Sequence, residues 1–212
     1  MSEKMLVLFS GGVDSTAALL WAMKSRTTDD ICALSVDCGQ PRGELAAGYY
    51  IAKRLGVARK VVHCGPLYNP TGDTFKECFI PSRNSILISI ASNLASRMNA
   101  RHIVTGFGMD DSDDFPDTRE PFLSAIEWAI GIGGVPVVLH HPVLKLSKSQ
   151  IVNSLNQEIL SLTWSCYFDC EEQCGTCPSC MQRVVLGKRP VFRAGEKMLS
   201  LLGLNIPQPG KS

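Results

Sequence analysis

The sequence predicts an α/β fold: a parallel five-stranded sheet with helices on both faces and a cysteine-rich knuckle toward the C-terminus. Three observations predict it. Short apolar runs alternate with segments of helical period, the pattern of repeated βαβ units. The first apolar run stops at Ser10-Gly11-Gly12 and a helical segment follows at once. Five of the nine cysteines fall between Cys166 and Cys180.

Taken in order, residues 5–9 (Met-Leu-Val-Leu-Phe) read as a buried strand, and residues 15–25 carry the apolar spacing of a helix. A second strand is expected over 31–36 and a helix over 44–55, which Gly56 would end. Residues 59–63 form the third strand. A helix over 84–98 follows Pro81, and a fourth strand runs over 102–105. A helix over 120–130, a strand over 137–140 and a helix over 148–160 with Ser147 as cap complete the pattern. The tail 205–212, with Pro207, Pro209 and Gly210, reads as irregular. The expected division is residues 1–162 for the sheet domain and 163–212 for a metal-binding segment packed on it. In such a sheet, ligands bind at the carboxyl ends of the strands near the topological switch point. The glycine turn, Asp37 to Gln40, and Gly106 to Gly108 all fall there.

The turn Phe9-Ser10-Gly11-Gly12-Val13-Asp14-Ser15-Thr16 is the most telling segment. A helix N-terminus presents unpaired N–H groups and a positive dipole end, worth about 1 kcal/mol to an anion. Glycines let the backbone approach closely, and Ser10, Ser15 and Thr16 add hydroxyls. The turn lacks the lysine of a Walker A loop and the spacing of the dinucleotide fingerprint. The plain alternative is an ordinary βα turn with a serine cap.

Composition narrows the field. At 212 residues the chain fits one domain and needs no disulfides for a core. Its net charge of +1 provides no overall field for nucleic acid or anionic lipid. No apolar run is long enough to span a bilayer, and Met-Ser-Glu-Lys lacks a secretory signal, so a cytoplasmic place and no membrane partner are expected. Cysteines in such a chain point to metal or redox chemistry. Cys32, Cys38, Cys64 and Cys78 are scattered and read as small buried hydrophobes. The spacing Cys166-x3-Cys170-x3-Cys174-x2-Cys177-x2-Cys180 suits a closed thiolate zinc site. Radical S-adenosylmethionine, ferredoxin-like and dithiol redox readings of the same spacing rank below it.

The SGGxDS pattern resembles the pyrophosphate loop of the ATP pyrophosphatase (PP-loop) superfamily, whose Rossmann-like (HUP/PP-loop) members cleave ATP between its α and β phosphates. Further motifs sharpen the resemblance. They are Phe79-Ile80-Pro81-Ser82-Arg83-Asn84, Thr105-Gly106, Phe115-Pro116-Asp117-Thr118-Arg119, Pro142 through Lys148, and Thr163-Trp164-Ser165-Cys166 with Cys174, Cys177 and Cys180. In this order they resemble the 7-cyano-7-deazaguanine synthase (QueC-like) family over nearly the whole chain.

The resemblance implies an enzyme that uses ATP to adenylate 7-carboxy-7-deazaguanine. Ammonia then gives the amide, and a second ATP gives the nitrile for queuosine-type pathways. ATP, Mg2+ and Zn2+ are the implied cofactors, and a homodimer is implied. Phe9 through Thr16, with Asp37, Gln40 and Gly106, would bind ATP, and Ser10, Asp14, Ser15, Arg83 and Lys148 would serve the chemistry. Arg83, Asn84, Asp111, Phe115, Asp117, Arg119 and Trp164 would meet the substrate. Asp111 and Asp117 are candidates for magnesium or the guanine-like edge. Cys166, Cys174, Cys177 and Cys180 would hold zinc.

The chain departs from the family pattern. Its segment before Phe79 is short, Gln40-Pro41-Arg42 replaces Gln-Arg-His, and Met109 stands where a glutamate is usual. Asp113-Asp114 replaces Ser-Gly, and Cys170 is an extra thiol. These departures leave room for an enzyme that stops at the amide, or that joins the deazaguanine to another amine such as a protein amine in a phage or defence setting. A tRNA-thiolating PP-loop enzyme and a non-catalytic nucleotide-binding zinc module are the other readings. The first would need a basic excess and spare RNA-binding regions that the sequence lacks.

Overall fold

The computed structural model describes residues 3–67, 79–188 and 191–194. Cys78 and the 205–212 tail lie outside the described residues. Five strands form one parallel sheet in the order β3-β2-β1-β4-β5: β1 (Lys4–Leu8), β2 (Ile31–Asp37), β3 (Ala58–His63), β4 (Ala100–Val104) and β5 (Val138–His140). The predicted strands are all present with ends shifted by a residue or two. Val7 is the hub, opposite Ala33 on one side and Val104 on the other. The strand order reverses between β1 and β4, so the switch point lies directly above the end of β1.

Alternation along β1 divides the core. Met5, Val7 and Phe9 pack with Ala18, Leu19 and Ala22 of α1 (Val13–Ser25) and Ile51 and Ala52 of α2 (Arg42–Leu55). Leu6 faces the other way, onto Ile88, Ala91 and Ala95 of α3 (Arg83–Met98) and, after α4 (Asp111–Asp114), Leu123 of α5 (Glu120–Ile132). Burying each such leucine or isoleucine stabilises the fold by about 1.5–3 kcal/mol. Small residues on α1 and α2 let both helices lie close to the sheet. Helices thus cover both faces, as alternation predicts.

One predicted helix is two. Residues 148–160 break into α6 (Lys148–Ser154) and α7 (Gln157–Leu162). Leu155 turns extended and buries its side chain, and Asn156 starts a new helix by accepting the Ile159 N–H at 2.8 Å. α6 itself opens on a capping box between Ser147 and Gln150. Beyond α7, residues 163–166 return across the molecule and lead through the cysteine knuckle to α8 (Pro178–Val185). Trp164, Cys166, Cys177, Cys180 and Phe192 pack on Ala46 and Ala47 of α2, so the knuckle sits on the same layer as α2. Among the described residues no helix is long and apolar enough to cross a membrane.

Candidate active site

The glycine turn connects β1 to α1 at the switch point. Gly11 has φ +100°, and a Cβ there would lie 2.4 Å from Gly48 N of α2, so this position admits only glycine. The Ser10 and Gly11 N–H groups donate to Ser15 Oγ at 3.3 Å each, and Gly12 N–H donates to Ser10 Oγ at 3.2 Å. Two hydroxyls backed by three amides therefore lie at the N-terminus of a 13-residue helix. Gly106 closes the other side, since a Cβ there would meet Ser15 N at 2.6 Å.

Two cavities flank the turn. The larger, about 400 Å³, is lined by Ser10, Gly12, Val13, Asp14, Arg83, Asn84, Gly106, Asp111, Phe115 and Lys148. The smaller, about 210 Å³, is more apolar, with Leu8, Phe9, Leu34, Val36 and Leu87 in its wall together with Ser15 and Gln40. Ser82 takes left-handed geometry (φ 61°), unusual for a non-glycine residue, where it turns the chain into α3 and starts the helix at Arg83.

Lys148 Nζ lies 2.5 Å from Asp14 Oδ2, with both side chains largely out of water. Burial works against the lysine charge, but Asp14 and Asp111 outweigh it and hold its pKa above the ordinary value. Burial also raises Asp111, against the pull of Lys148. Lys148 N–H donates to Asp110 Oδ2 at 2.8 Å, so the acidic loop and the start of α6 are tied together. Asp14 Oδ1 is buried without a hydrogen-bond partner and faces the same space as Asp111, since both lie within 4 Å of a Cβ built on Gly108. A hard divalent cation fits such an orphaned carboxylate oxygen.

Other predicted site residues lie elsewhere or are engaged. Thr16 is fully buried, with its hydroxyl bonded to Gly12 O at 2.7 Å. Asp37 pairs with His63 at 2.8 Å and lines neither cavity. Gln40 bonds its own loop through Cys38 N and Val36 O. Asp117 is buried against Asn84 N, and Arg119 donates to Ser112 O at 2.8 Å. Trp164 lines the larger cavity, but its indole is 2 % exposed, lies on Gly43 and donates to Cys166 O. Cys64 is half-buried rather than core. His140 and His141 have partners that strand-end packing does not anticipate. His140 bonds His102 at 3.0 Å, and His141 bonds Thr105 at 2.8 Å.

Among the cavity-lining residues that the sequence reading does not name as site residues, two carry charge into the walls from α2 and α8. Glu44, in the first turn of α2, lines both cavities, and nothing in its local pattern separates it from a solvated helix residue. Arg183 of α8 is 2 % exposed and donates to Thr163 Oγ1 and Ser165 Oγ, fastening α8 to the returning segment. Burial lowers its pKa to about 10, so it stays charged.

The thiolates of Cys166, Cys174, Cys177 and Cys180 lie within 4.8 Å of one another. A tetrahedral zinc with Zn–S bonds of about 2.3 Å needs sulfurs about 3.8 Å apart, a small contraction. Backbone N–H groups already point at the sulfurs: Phe168 and Cys174 to Cys166 Sγ at 3.4 Å, and Cys177 to Cys174 Sγ at 3.3 Å. Mutual hydrogen bonds within the group push the Cys177 thiol below its ordinary pKa and the Cys166 thiol above it, so the four sulfurs share their protons closely. The donor set fits zinc. Cys170 lies 3.8 Å from Cys166 but outside the four-sulfur group.

Strand order, glycine turn and cysteine knuckle together define a Rossmann-like α/β domain of the PP-loop type. The pattern described as "Queuosine biosynthesis protein QueC" matches residues 4–69 and 66–185, and the chain belongs to that family of enzymes. A 7-cyano-7-deazaguanine synthase from Chromobacterium violaceum is 34% identical over 204 residues, covering 85% of this chain and 87% of that protein. One from Campylobacter concisus is 34% identical over 209 residues, covering 86% and 92%. Among solved structures, a 4-thiouridine synthetase–RNA complex with bound ATP shares the fold at TM-score 0.52 and 18% identity, covering 95% of this chain and 50% of that one.

Proposed function

We propose that the protein is an ATP-dependent carbon–nitrogen ligase that activates 7-carboxy-7-deazaguanine as its acyl-adenylate and passes it to ammonia. The amide and then 7-cyano-7-deazaguanine are the products. The observation that carries this reading is the pair of cavities meeting at the glycine turn, one polar and one apolar. ATP supplies adenosine for the apolar cavity and pyrophosphate for the hydroxyl-and-amide nest of Ser10, Gly11, Gly12 and Ser15. The substrate carboxylate attacks the α-phosphorus, so no protein nucleophile is required. The chain's task is positioning and charge balance. Arg83 offers a planar fork to a carboxylate or phosphate, and Lys148, held by Asp14, offers a point charge. Asp14 and Asp111 would hold the magnesium that accompanies ATP, which offsets phosphate charge when bound. Asn84 and Phe115 would contact the heterocycle from the polar cavity. The four-sulfur group would hold zinc in a structural role, stabilising the segment that carries Trp164.

The family glutamate replaced by Met109 bears on where the reaction ends. Met109 is 46 % exposed and lines neither cavity, so its substitution strips no group from the cavity wall. The nitrile is proposed as the product because the matched relatives are 7-cyano-7-deazaguanine synthases. A homodimer and a cytoplasmic place belong to the same proposal. The test is ATP–pyrophosphate exchange dependent on 7-carboxy-7-deazaguanine, followed by mass spectrometry of the product with ammonium present. Exchange and a nitrile are expected. No exchange with the carboxylate would defeat the reading, and an amide or a protein adduct would move the end point.

A further inference from the structure

Resting on that reading, we infer that Glu44 is the base that takes the proton from the incoming ammonium ion. At neutral pH ammonia is protonated and has no free lone pair, so an amide-forming ligase needs a proton acceptor beside the acyl carbon. With adenosine in the apolar cavity and the deazaguanine in the polar one, the acyl–phosphate junction falls where the cavities share walls. Two carboxylates line both, Asp14 and Glu44. Asp14 is committed to Lys148 at 2.5 Å. Glu44 meets no lysine among the described ion pairs and faces the Ser10 hydroxyl, the Arg83 guanidinium and the Cys38 thiol. Burial pushes that thiol up to about 11, so it stays neutral beside the carboxylate.

Glu44 is held in place as a base must be. It occupies the first turn of α2, and its backbone carbonyl would lie 2.6 Å from a Cβ on Gly11, so the helix and the glycine turn are packed backbone to backbone. Burial raises its pKa, against the opposing pull of Ser10 and Arg83, which narrows the gap to ammonium. In the step, one proton passes from ammonium to Glu44. The freed nitrogen lone pair forms the C–N bond. The C–O bond to the α-phosphate breaks, with its electron pair leaving on AMP, and the second surplus proton on nitrogen goes to water.

The test uses a nucleophile that needs no deprotonation. Hydroxylamine is neutral near pH 7.5 and gives a hydroxamate from the same acyl-adenylate. The full-length protein and its Glu44→Gln variant are compared with ATP, 7-carboxy-7-deazaguanine, and either ammonium chloride or hydroxylamine. Both rates absorb whatever the Ser10 contact contributes, so their ratio isolates the proton. The amide-to-hydroxamate ratio is expected to fall by about 10²-fold or more in Glu44→Gln, within the usual range for a general base. Glu44→Asp, which keeps a carboxylate, is expected to hold the ratio nearer to wild type and serves alone if the glutamine variant does not fold. A ratio within threefold of wild type in Glu44→Gln, or equally depressed ratios in both variants, overturns the assignment. A wild-type protein that shows no pyrophosphate exchange overturns the adenylation reading itself, a distinct result.

Discussion

Gly106→Ala tests the site through geometry alone. The added methyl would sit 2.6 Å from both Cα and N of Ser15 and 2.8 Å from the carbonyl carbon of Asp14. Carbon contacts relax at about 3.5–4.0 Å, so the two backbones must part by about 1 Å. Neither side yields easily. Thr105 is bonded to His140 O at 2.9 Å, and the first turns of α1 pack through Val13 and Ala17 on Ile151 and Val152 of α6. Overpacking of this kind costs about 1–3 kcal/mol. At about 2–4 °C per kcal/mol for a chain of this size, Tm should fall by about 2–12 °C. A 1 Å misplacement of reacting groups costs about 10²-fold in rate, so pyrophosphate exchange should fall by about that factor. Scanning fluorimetry and the exchange assay read the two effects. Gly131→Ala is the control, since a methyl on that α5 residue meets nothing within 4 Å. Exchange within twofold of wild type and an unchanged Tm in Gly106→Ala would refute the idea that the start of α1 meets the phosphates.

Three further outcomes follow from the same contacts. Asp14→Ala should abolish exchange and, by leaving the Lys148 charge largely buried, destabilise the fold by about 3 kcal/mol, with Asp110 and Asp111 limiting the damage; urea unfolding measures it. Cys177→Ser should lose both zinc and thermal stability, whereas Cys170→Ser should keep one zinc per chain by elemental analysis. Burial lowers the pKa of His141 to about 4 from an ordinary 6.5, so the unfolded chain binds a proton between those values that the folded chain refuses. Stability should therefore fall as pH drops from about 6.5 to 4, by about 1–2 kcal/mol from this group once solvent screening at the part-exposed ring is allowed for. Unfolding curves across that window should be flatter in His141→Gln.

The fold is legible wherever one segment carries its own signal. The apolar run of β1, the glycine turn and the Gly56 stop are local, and each lies where the residues dictate. The break between α6 and α7 is less legible, because Leu155 keeps the helical apolar spacing while the Asn156 cap competes with it. The candidate site divides on the same line. Ser10, Asp14 and Gly106 belong to motifs contiguous in sequence. Glu44 reaches the cavities only because small residues let α2 settle on the glycine turn, a fact of packing that its own neighbours in sequence do not encode. Trp164 stands at the wall of the larger cavity, as its place in a motif suggests, but packing by the knuckle turns most of its ring inward onto Gly43.

The Trp164 amide donates to Gly11 O at 3.0 Å, while its indole donates to the carbonyl of Cys166, one of the four zinc-type ligands. The glycine turn and the four-sulfur group are thus separated by two hydrogen bonds through a single tryptophan. With zinc and ATP placed as proposed, a chelator that strips the cluster would slacken the floor under ATP well before the sheet melts, so catalytic failure should precede any loss of far-UV dichroism. Oxidative stress on these thiols would be felt first as poor nucleotide grip.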